Sequence, residues 1–324
     1  MSARRLVRLA IVVGAVWVGG ALAAQTPGGS PPNVAEIRPL AEQGDSEAQN
    51  ALGNLFTSGS GVQQDFAEAF AWYQKAAGKG FAPAQFNLAL AYELGRGVKA
   101  DEKLAFKSYL LAAEQGFAAA QFNVGNMYAA GRGVGQDFFE ANLWFKQAAD
   151  KGVVEAQYNL GLVYESGRGV KKDEAAAARW YRAAADHGFV RAQYNLGLLY
   201  EDGRGVKQDD AQAAQLYRAA ADLGFAPAQN NLGLMYAAGR GLPADPVLGY
   251  AWLLLAVQNG ANPQGRDYVA QTLSPAQIAQ ATQRFADLSG RAAAQAPPSP
   301  GRAPALTVAA AAPAAAAPAA PAGP

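Results

Sequence analysis

The chain holds a single histidine, His187, and no cysteine. One imidazole cannot supply a two-histidine zinc motif, and without thiols there is no thiolate metal site and no disulfide. His187 stands directly before Gly188 at the end of a helix-like run, where a cation suits the negative end of the helix dipole, so its reading is structural. A Ser-His-Asp triad would have to use it, yet the Gly-x-Ser-x-Gly elbow is missing. The nearest string, Thr57-Ser58-Gly59-Ser60-Gly61, lacks the leading glycine. No serine has a lysine three residues on, and the Gly-Arg-Gly triplets carry no Gly-Lys-Ser/Thr, so neither a penicillin-binding site nor a phosphate loop is present. Glu93, Glu165 and Glu201 remain as candidate acid/base groups, but they share one phase of a 36-residue spacing. Equivalent positions offer similar environments, whereas an acid/base pair needs two different ones. The expectation is a protein without catalytic residues, cofactor or metal.

That spacing governs most of the chain. An Ala-Gln pair recurs at Gln49, Gln85, Gln121, Gln157, Gln193 and Gln229, always 36 residues apart. Repeats of this length are units that bury their apolar faces only against their neighbours. Each unit parses into two helices. In the fourth, Leu160, Val163 and Tyr164 lie three and four apart on one face, and Gly167 supplies the stop. The second helix starts at an aspartate column, Asp65, Asp101, Asp137, Asp173, Asp209 and Asp245, whose carboxylates suit the free amides of a first turn. Glu68 and Glu140, three residues on, predict reciprocal capping boxes. Gly53, Gly125, Gly161, Gly197 and Gly233 sit inside the first helix, where glycine costs about 1 kcal/mol against alanine. Their common phase predicts a neighbour too close for a side chain. Ser274-Pro275-Ala276-Gln277 opens a further amphipathic helix with Ile278, Phe285 and Leu288, expected to shield the last unit.

The unit Ala192-Gln193-Tyr194-Asn195-Leu196-Gly197, followed by Gly-Arg-Gly-Val, Asp, an aromatic pair, Ala-Ala and Gly, resembles the Sel-one-like repeat (SLR) of the tetratricopeptide-repeat superfamily. The resemblance covers roughly residues 36–290 and recurs six times. It implies an all-α fold: a right-handed α/α superhelical solenoid of about six helix-turn-helix repeats with a C-terminal capping helix. It also implies a non-enzymatic adaptor or scaffold. Departures include Ala89 for the helix glycine, Ser108 and Leu216 for the tryptophan, and Leu242 for the valine.

By analogy with that superfamily, the residue after the glutamine faces the concave side. This column holds Phe86, Phe122, Tyr158 and Tyr194, four aromatics in a row, with Asn126 among the residues four further on and Glu93, Glu165 and Glu201 as a carboxylate rim. These eight residues are the candidate partner-binding groove. Adjacent helices lie about 8–10 Å apart and an extended chain advances about 3.3 Å per residue, so four rungs suit a segment of roughly ten residues. The alternative is that the rings pack between neighbouring first helices. The asparagine column at 87, 123, 159, 195 and 231 reads as an inter-repeat hydrogen-bond ladder, and the arginines at 96, 132, 168, 204 and 240 as a solvated edge.

The termini read differently. Arg4, Arg5 and Arg8 precede an apolar run from Leu9 to Leu22, and Ala21-Leu22-Ala23 offers a cleavage site, so residues 1–23 read as a secretory signal. Residues 24–33 form a Pro/Gly linker, 34–290 the solenoid, and 291–324 an Ala/Pro-rich tail expected to be disordered. Losing three signal arginines lowers 27 basic residues to 24 against 26 acidic, a net of −2, which disfavours nucleic acid as a partner. The expectation is an exported periplasmic or secreted adaptor that binds a protein segment, meeting a membrane only through an uncleaved signal or a partner. Two alternatives stay open: a cell-wall glycan-binding or hydrolytic protein, and a structural subunit of an envelope assembly.

Overall fold

A computed structural model describes residues 34–295, with side chains through Gly290. The stretches read from sequence as an export signal and a linker, and most of the Ala/Pro tail, lie outside the described residues. Fifteen helices and no strand occur among the described residues. After a short α1 (Val34–Glu42) come six pairs of 13-residue helices: α2 (Ser46–Ser58) and α3 (Phe66–Gly78), α4 (Ala82–Leu94) and α5 (Glu102–Glu114), α6 (Ala118–Ala130) and α7 (Phe138–Asp150), α8 (Val154–Ser166) and α9 (Glu174–Asp186), α10 (Val190–Asp202) and α11 (Asp210–Asp222), α12 (Ala226–Ala238) and α13 (Pro246–Gln258). Then α14 (Gln264–Ala270) and α15 (Pro275–Gln295) close the stack against α12 and α13. We call the first helix of each pair A and the second B.

From α1 to α14 each helix packs on the one before it, α15 returns to α13, and the core follows suit. One cluster joins Phe86 and Ala89 of α4, Tyr109 and Ala112 of α5, and Val124 and Met127 of α6. The next but one joins the matching residues of α8, α9 and α10. A core divided into clusters of a few neighbouring helices is the solenoid principle. α1 belongs to it: Ile37 falls one period before Tyr73 and is buried with Leu52 and Phe56. It is the B helix of an incomplete leading repeat.

The aspartate column caps every B helix: Asp137 Oδ1, for example, accepts from the amides of Phe139 at 2.8 Å and Glu140 at 3.0 Å. The capping-box expectation needs correcting at its other arm. The aspartate's own N–H donates to the carbonyl nine residues earlier, as from Asp65 to Phe56 and from Asp137 to Tyr128, so Glu68 and Glu140 have no free amide to cap. At Ser274 the box does close, with Gln277 Oε1 accepting from the Ser274 N–H at 2.9 Å. α15 also runs to Gln295, into the stretch assigned to the tail. Arg291 to Gln295 is alanine-rich and proline-free, and alanine is the best helix former.

Glycine works at two distinct places. A Cβ on Gly161 would come within 2.3 Å of the Tyr181 ring, and one on Gly197 within 2.7 Å of Tyr217, so the intruder inferred from sequence is the B-helix ring of the same repeat, replaced at Gly233 by Leu253 and the Gly249 carbonyl. The second glycine of each Gly-x-Gly turn has positive φ, and from Gly97 onward it lies on the backbone of the preceding repeat: a Cβ on Gly205 would stand 2.2 Å from the Glu174 carbonyl. Gly188 also has positive φ but faces open space. Gly188→Ala should therefore cost about 1–2 kcal/mol of backbone strain, and Gly205→Ala several kcal/mol more because two repeats must part. Urea midpoints of the two variants check this; equal losses would refute the close approach.

Candidate functional site

The buried glutamines tie consecutive units together. Gln49, Gln85, Gln121, Gln157 and Gln229 each donate from Nε2 to the carbonyl eight residues earlier, at 3.0–3.5 Å. That carbonyl belongs to the last turn of the preceding B helix and has no intrahelical partner to expect. A B helix and the following A helix are thereby fixed end to end.

This register decides where the candidate groove residues go. Phe86, Phe122, Tyr158 and Tyr194 are all buried, none more than 6% exposed. Tyr158 lies between Tyr181, with ring centroids 5.8 Å apart, and Phe189, at 5.0 Å. Tyr194 lies between Tyr217 and Phe225, Phe86 between Tyr109 and Phe117, and Phe122 against Phe145. The structure corrects the groove reading: the four rings fill the layer between an A helix, its B helix and the start of the next A helix. The residue entering that next helix is an N-cap without a capping side chain, Phe117, Phe189 and Phe225 being used for packing instead. Asn126 is buried too, its Oδ1 accepting from Asn159 Nδ2 at 3.4 Å. At the leading end Asn87 Nδ2 reaches Asn50 Oδ1 at 2.9 Å and Asn54 Oδ1 at 3.2 Å. These contacts make the asparagine ladder locally.

The carboxylates are not a rim either. Glu93 accepts from the Tyr109 hydroxyl at 2.6 Å and from Arg132 Nη2 at 2.8 Å. Glu165 accepts from Tyr181 at 2.7 Å and Arg204 at 3.0 Å, and Glu201 from Tyr217 at 2.6 Å and Arg240 at 2.7 Å. In each triad the tyrosine comes from the B helix of the same repeat and the arginine from the turn of the next. Three of the five edge arginines are therefore latches. The other two, Arg96 and Arg168, stand over the rings of Phe66 and Phe138, at 5.3 and 5.7 Å.

The sequence varies in concert. Where position 93, 165 or 201 is Glu, the facing B-helix residue is Tyr and the first residue of that helix is acidic: Glu102, Glu174 or Asp210. Where the carboxylate is absent at Ala129, the facing residue is Phe145 and the helix begins with Phe138. A buried hydroxyl without a partner costs about 1–3 kcal/mol, so tyrosine and glutamate are kept or lost together. At Thr57 the hydroxyl meets that of Tyr73 at 2.9 Å, and Tyr73 also donates to Asn54.

Burial raises the pKa values of the tyrosines at these joints. Tyr109 and Tyr181 are pushed well above the ordinary phenol range by burial first and by the adjacent glutamate charge second; Tyr217 moves the same way for the same reasons, and Tyr73 is raised to about 12 by burial. A folded pKa above the unfolded value of about 10 gives stability that is complete below pH ~10 and is lost as pH rises further.

Among the described residues no cluster of three or more His, Cys, Asp or Glu is placed to hold a metal, and no helix is long and apolar enough to cross a membrane. The architecture is that of an α-solenoid built from identical 36-residue layers. The family model for the Sel1 repeat matches residues 46–81, 82–117, 118–153, 154–189, 190–225 and 226–260, two thirds of the chain, and the protein belongs to the Sel1 repeat family. Among solved structures it is similar to a protective antigen present in uropathogenic Escherichia coli strains that displays an SLR fold, at 31% identity and a TM-score of 0.69 over 80% of this chain. The match spans 63% of that antigen, so this chain accounts for less than two thirds of its length. It is also similar to a Sel1 repeat protein from Oxalobacter formigenes, at 36% identity and a TM-score of 0.63, over 74% of this chain and 69% of that one. No curated protein matches it.

Two predictions follow from the latches. Glu201→Ala should lower stability by about 2 kcal/mol, because the Tyr217 hydroxyl is left buried and unpaired, and adding Tyr217→Phe should return part of that loss. A double-mutant cycle by denaturant unfolding decides it; strictly additive losses would refute the coupling. Replacing Tyr109, Tyr181 and Tyr217 together with phenylalanine should flatten the fall in stability above pH ~10, read from urea midpoints across the alkaline range.

Proposed function

We propose that this protein is a non-enzymatic scaffold of the cell envelope that binds a segment of another protein along its A-helix face. The observation that carries the reading is the fate of the three carboxylates best placed for acid/base work. Each is held between a tyrosine and an arginine that join successive repeats, so its lone pairs are committed to the scaffold. Sel1 repeats in general mediate contacts between proteins, which fits a chain whose chemistry is spent on its own joints. The arginine-led apolar run at residues 4–22 supports export, to the periplasm or beyond.

The groove is drawn differently from the sequence-based one. With the four aromatics withdrawn into the layers, its accessible A-helix side chains are Asn50, Asn54, Asn87 and Leu90 in the first two repeats and Asn230 and Leu234 in the sixth. These are amides and leucines, suited to an extended backbone and its apolar side chains.

A photo-crosslinking amino acid at Asn54 or Leu234 should trap a defined protein in cells, while the same probe at Gln215 on the exposed side of α11 should not. Labelling of Gln215 alone, or of none of the three, would remove the A-helix face as the binding surface. Release of soluble fragments from purified peptidoglycan would instead make the protein a hydrolase.

A further inference from the structure

The joints between repeats share one plan, and the joint between the third and fourth falls short of it in four respects. The first is the turn. A Cβ on the second turn glycine would meet backbone of the preceding repeat at 2.0 Å for Gly97, 2.1 Å for Gly133 and 2.2 Å for Gly205 and Gly241. For Gly169, which lies on Phe138 of the third repeat, the distance is 2.6 Å. The second is the latch. Tyr-Glu-Arg closes the joints after the second, fourth and fifth repeats, whereas here Ala129 faces Phe145 and Arg168 stands over the Phe138 ring. The third is the ring entering the next A helix. Phe117, Phe189 and Phe225 pack on Phe86, Tyr158 and Tyr194, but Val153 holds that place in the cluster around Phe122.

The fourth is the cover over a tyrosine near the end of each A helix. Phe70 meets Tyr92 edge-on at 5.3 Å, and Phe106 meets Tyr128 in the same way at 5.2 Å. Arg182 stands over Tyr200 and Arg218 over Tyr236, each 5.4 Å from the ring, and each donates to the hydroxyl. At Tyr164 the matching positions hold Asn142 and Lys146, and Lys146 pairs with Asp150 at 2.6 Å. A cleft of about 140 Å³ stays open there between Leu143, Val163, Tyr164 and Val170. Side chains that border empty space lose the contacts they would otherwise make. The first joint also lacks the Tyr-Glu-Arg latch, but it keeps the 2.0 Å approach of Gly97 and the cover of Phe70.

What holds the third–fourth joint is unevenly placed. At one edge the chain passes directly from α7 to α8, and Gln157 Nε2 donates to the Ala149 carbonyl at 3.4 Å. At the opposite edge Asn142 Nδ2 donates to the Arg168 carbonyl at 2.9 Å, beside the arginine that stands on Phe138. A neutral hydrogen bond holds less firmly than the charge-assisted pairs of the other joints. One edge is thus covalently tied and the other lightly held, which is the arrangement of a hinge.

We propose that the third–fourth joint is the hinge of this solenoid. Repeats one to three and repeats four to six move as two units about the α7–α8 connection, opening where Gly169 lies on Phe138. Accessible A-helix residues stand on both sides, Asn54 and Leu90 before the hinge and Leu234 beyond it, so its swing sets the separation of the two ends of the groove. That consequence rests on the A-helix face being the binding surface; the hinge itself does not.

The chain has no cysteine, so paired spin labels can be attached at introduced ones. Lys99, Lys171 and Pro243 are exposed, share one turn position and lie two repeats apart. Labels at Lys99→Cys and Lys171→Cys span the hinge, whereas labels at Lys171→Cys and Pro243→Cys do not. Double electron–electron resonance should give a distance distribution about twofold broader for the first pair than for the second. Ala129→Glu with Phe138→Glu and Phe145→Tyr copies the joint of Glu165, Glu174 and Tyr181, and should narrow the first distribution to the width of the second. Val153→Phe, which supplies the missing ring, should narrow it in part, and it decides the matter if the triple variant does not fold. Equal widths in the parent, or a broad distribution that these variants leave unchanged, would overturn the hinge. No partner enters the measurement, so the hinge can fail while crosslinking at Asn54 or Leu234 succeeds, and the reverse.

Discussion

Everything in this solenoid depends on how closely the turn of one repeat can lie on the start of the preceding B helix. At Gly133, Gly205 and Gly241 the missing Cβ would stand 2.1–2.2 Å from a main-chain atom of the repeat before. Backbone on backbone at that distance sets the spacing of the layers, and no flexible side chain can relax it. The buried glutamines then fix the other end of the same joint, through the last turn of each B helix. Between these two ties the aromatic layer has one place to go, which is inward.

That geometry explains why chemistry-bearing residues serve as structure here. A tyrosine on a B helix is carried to within 2.6–2.7 Å of a glutamate, and an arginine from the following turn arrives on the other oxygen. A largely buried carboxylate with one neutral and one charged donor is well satisfied, and removing any one member strands the others. The chain therefore uses a polar joint, Tyr-Glu-Arg, at Glu93, Glu165 and Glu201, and an apolar one in which Phe145 faces Ala129 and Arg168 stands on Phe138. The first joint combines the two, with the Tyr73 hydroxyl satisfied by Thr57 and Asn54 while Arg96 stands on Phe66.

The ends obey the same rule by other means. α1 supplies Ile37 where a full repeat would supply a B-helix aromatic, and α15 lays its apolar side, with Phe285 and Leu288, against the last layer. Arg284 of α15 also reaches Asp245, the N-cap of the final B helix. An exposed layer face would leave large apolar surface in water, so a solenoid needs such closures.

The sequence by itself determined the period, the helix pairs, their aspartate caps and glycine stops, and the terminal cap. All of these are local: a cap or a positive φ is set by residues a few positions apart. It also determined that the helix glycines face something large, since a costly residue recurring at one phase needs a cause. What only the tertiary structure decided was which way the A-helix aromatics point and what the glutamates hold. Phe86 and Tyr194 satisfy a helical pattern equally well facing a groove or a layer, and Glu201 meets Arg240 across 39 residues and Tyr217 across 16. The joint variation of Glu, Tyr and the acidic first residue of the B helix was visible as letters in columns. Its meaning needed the distance between repeats, because a contact between layers is fixed by how the layers stack, and stacking is a property of the assembled core.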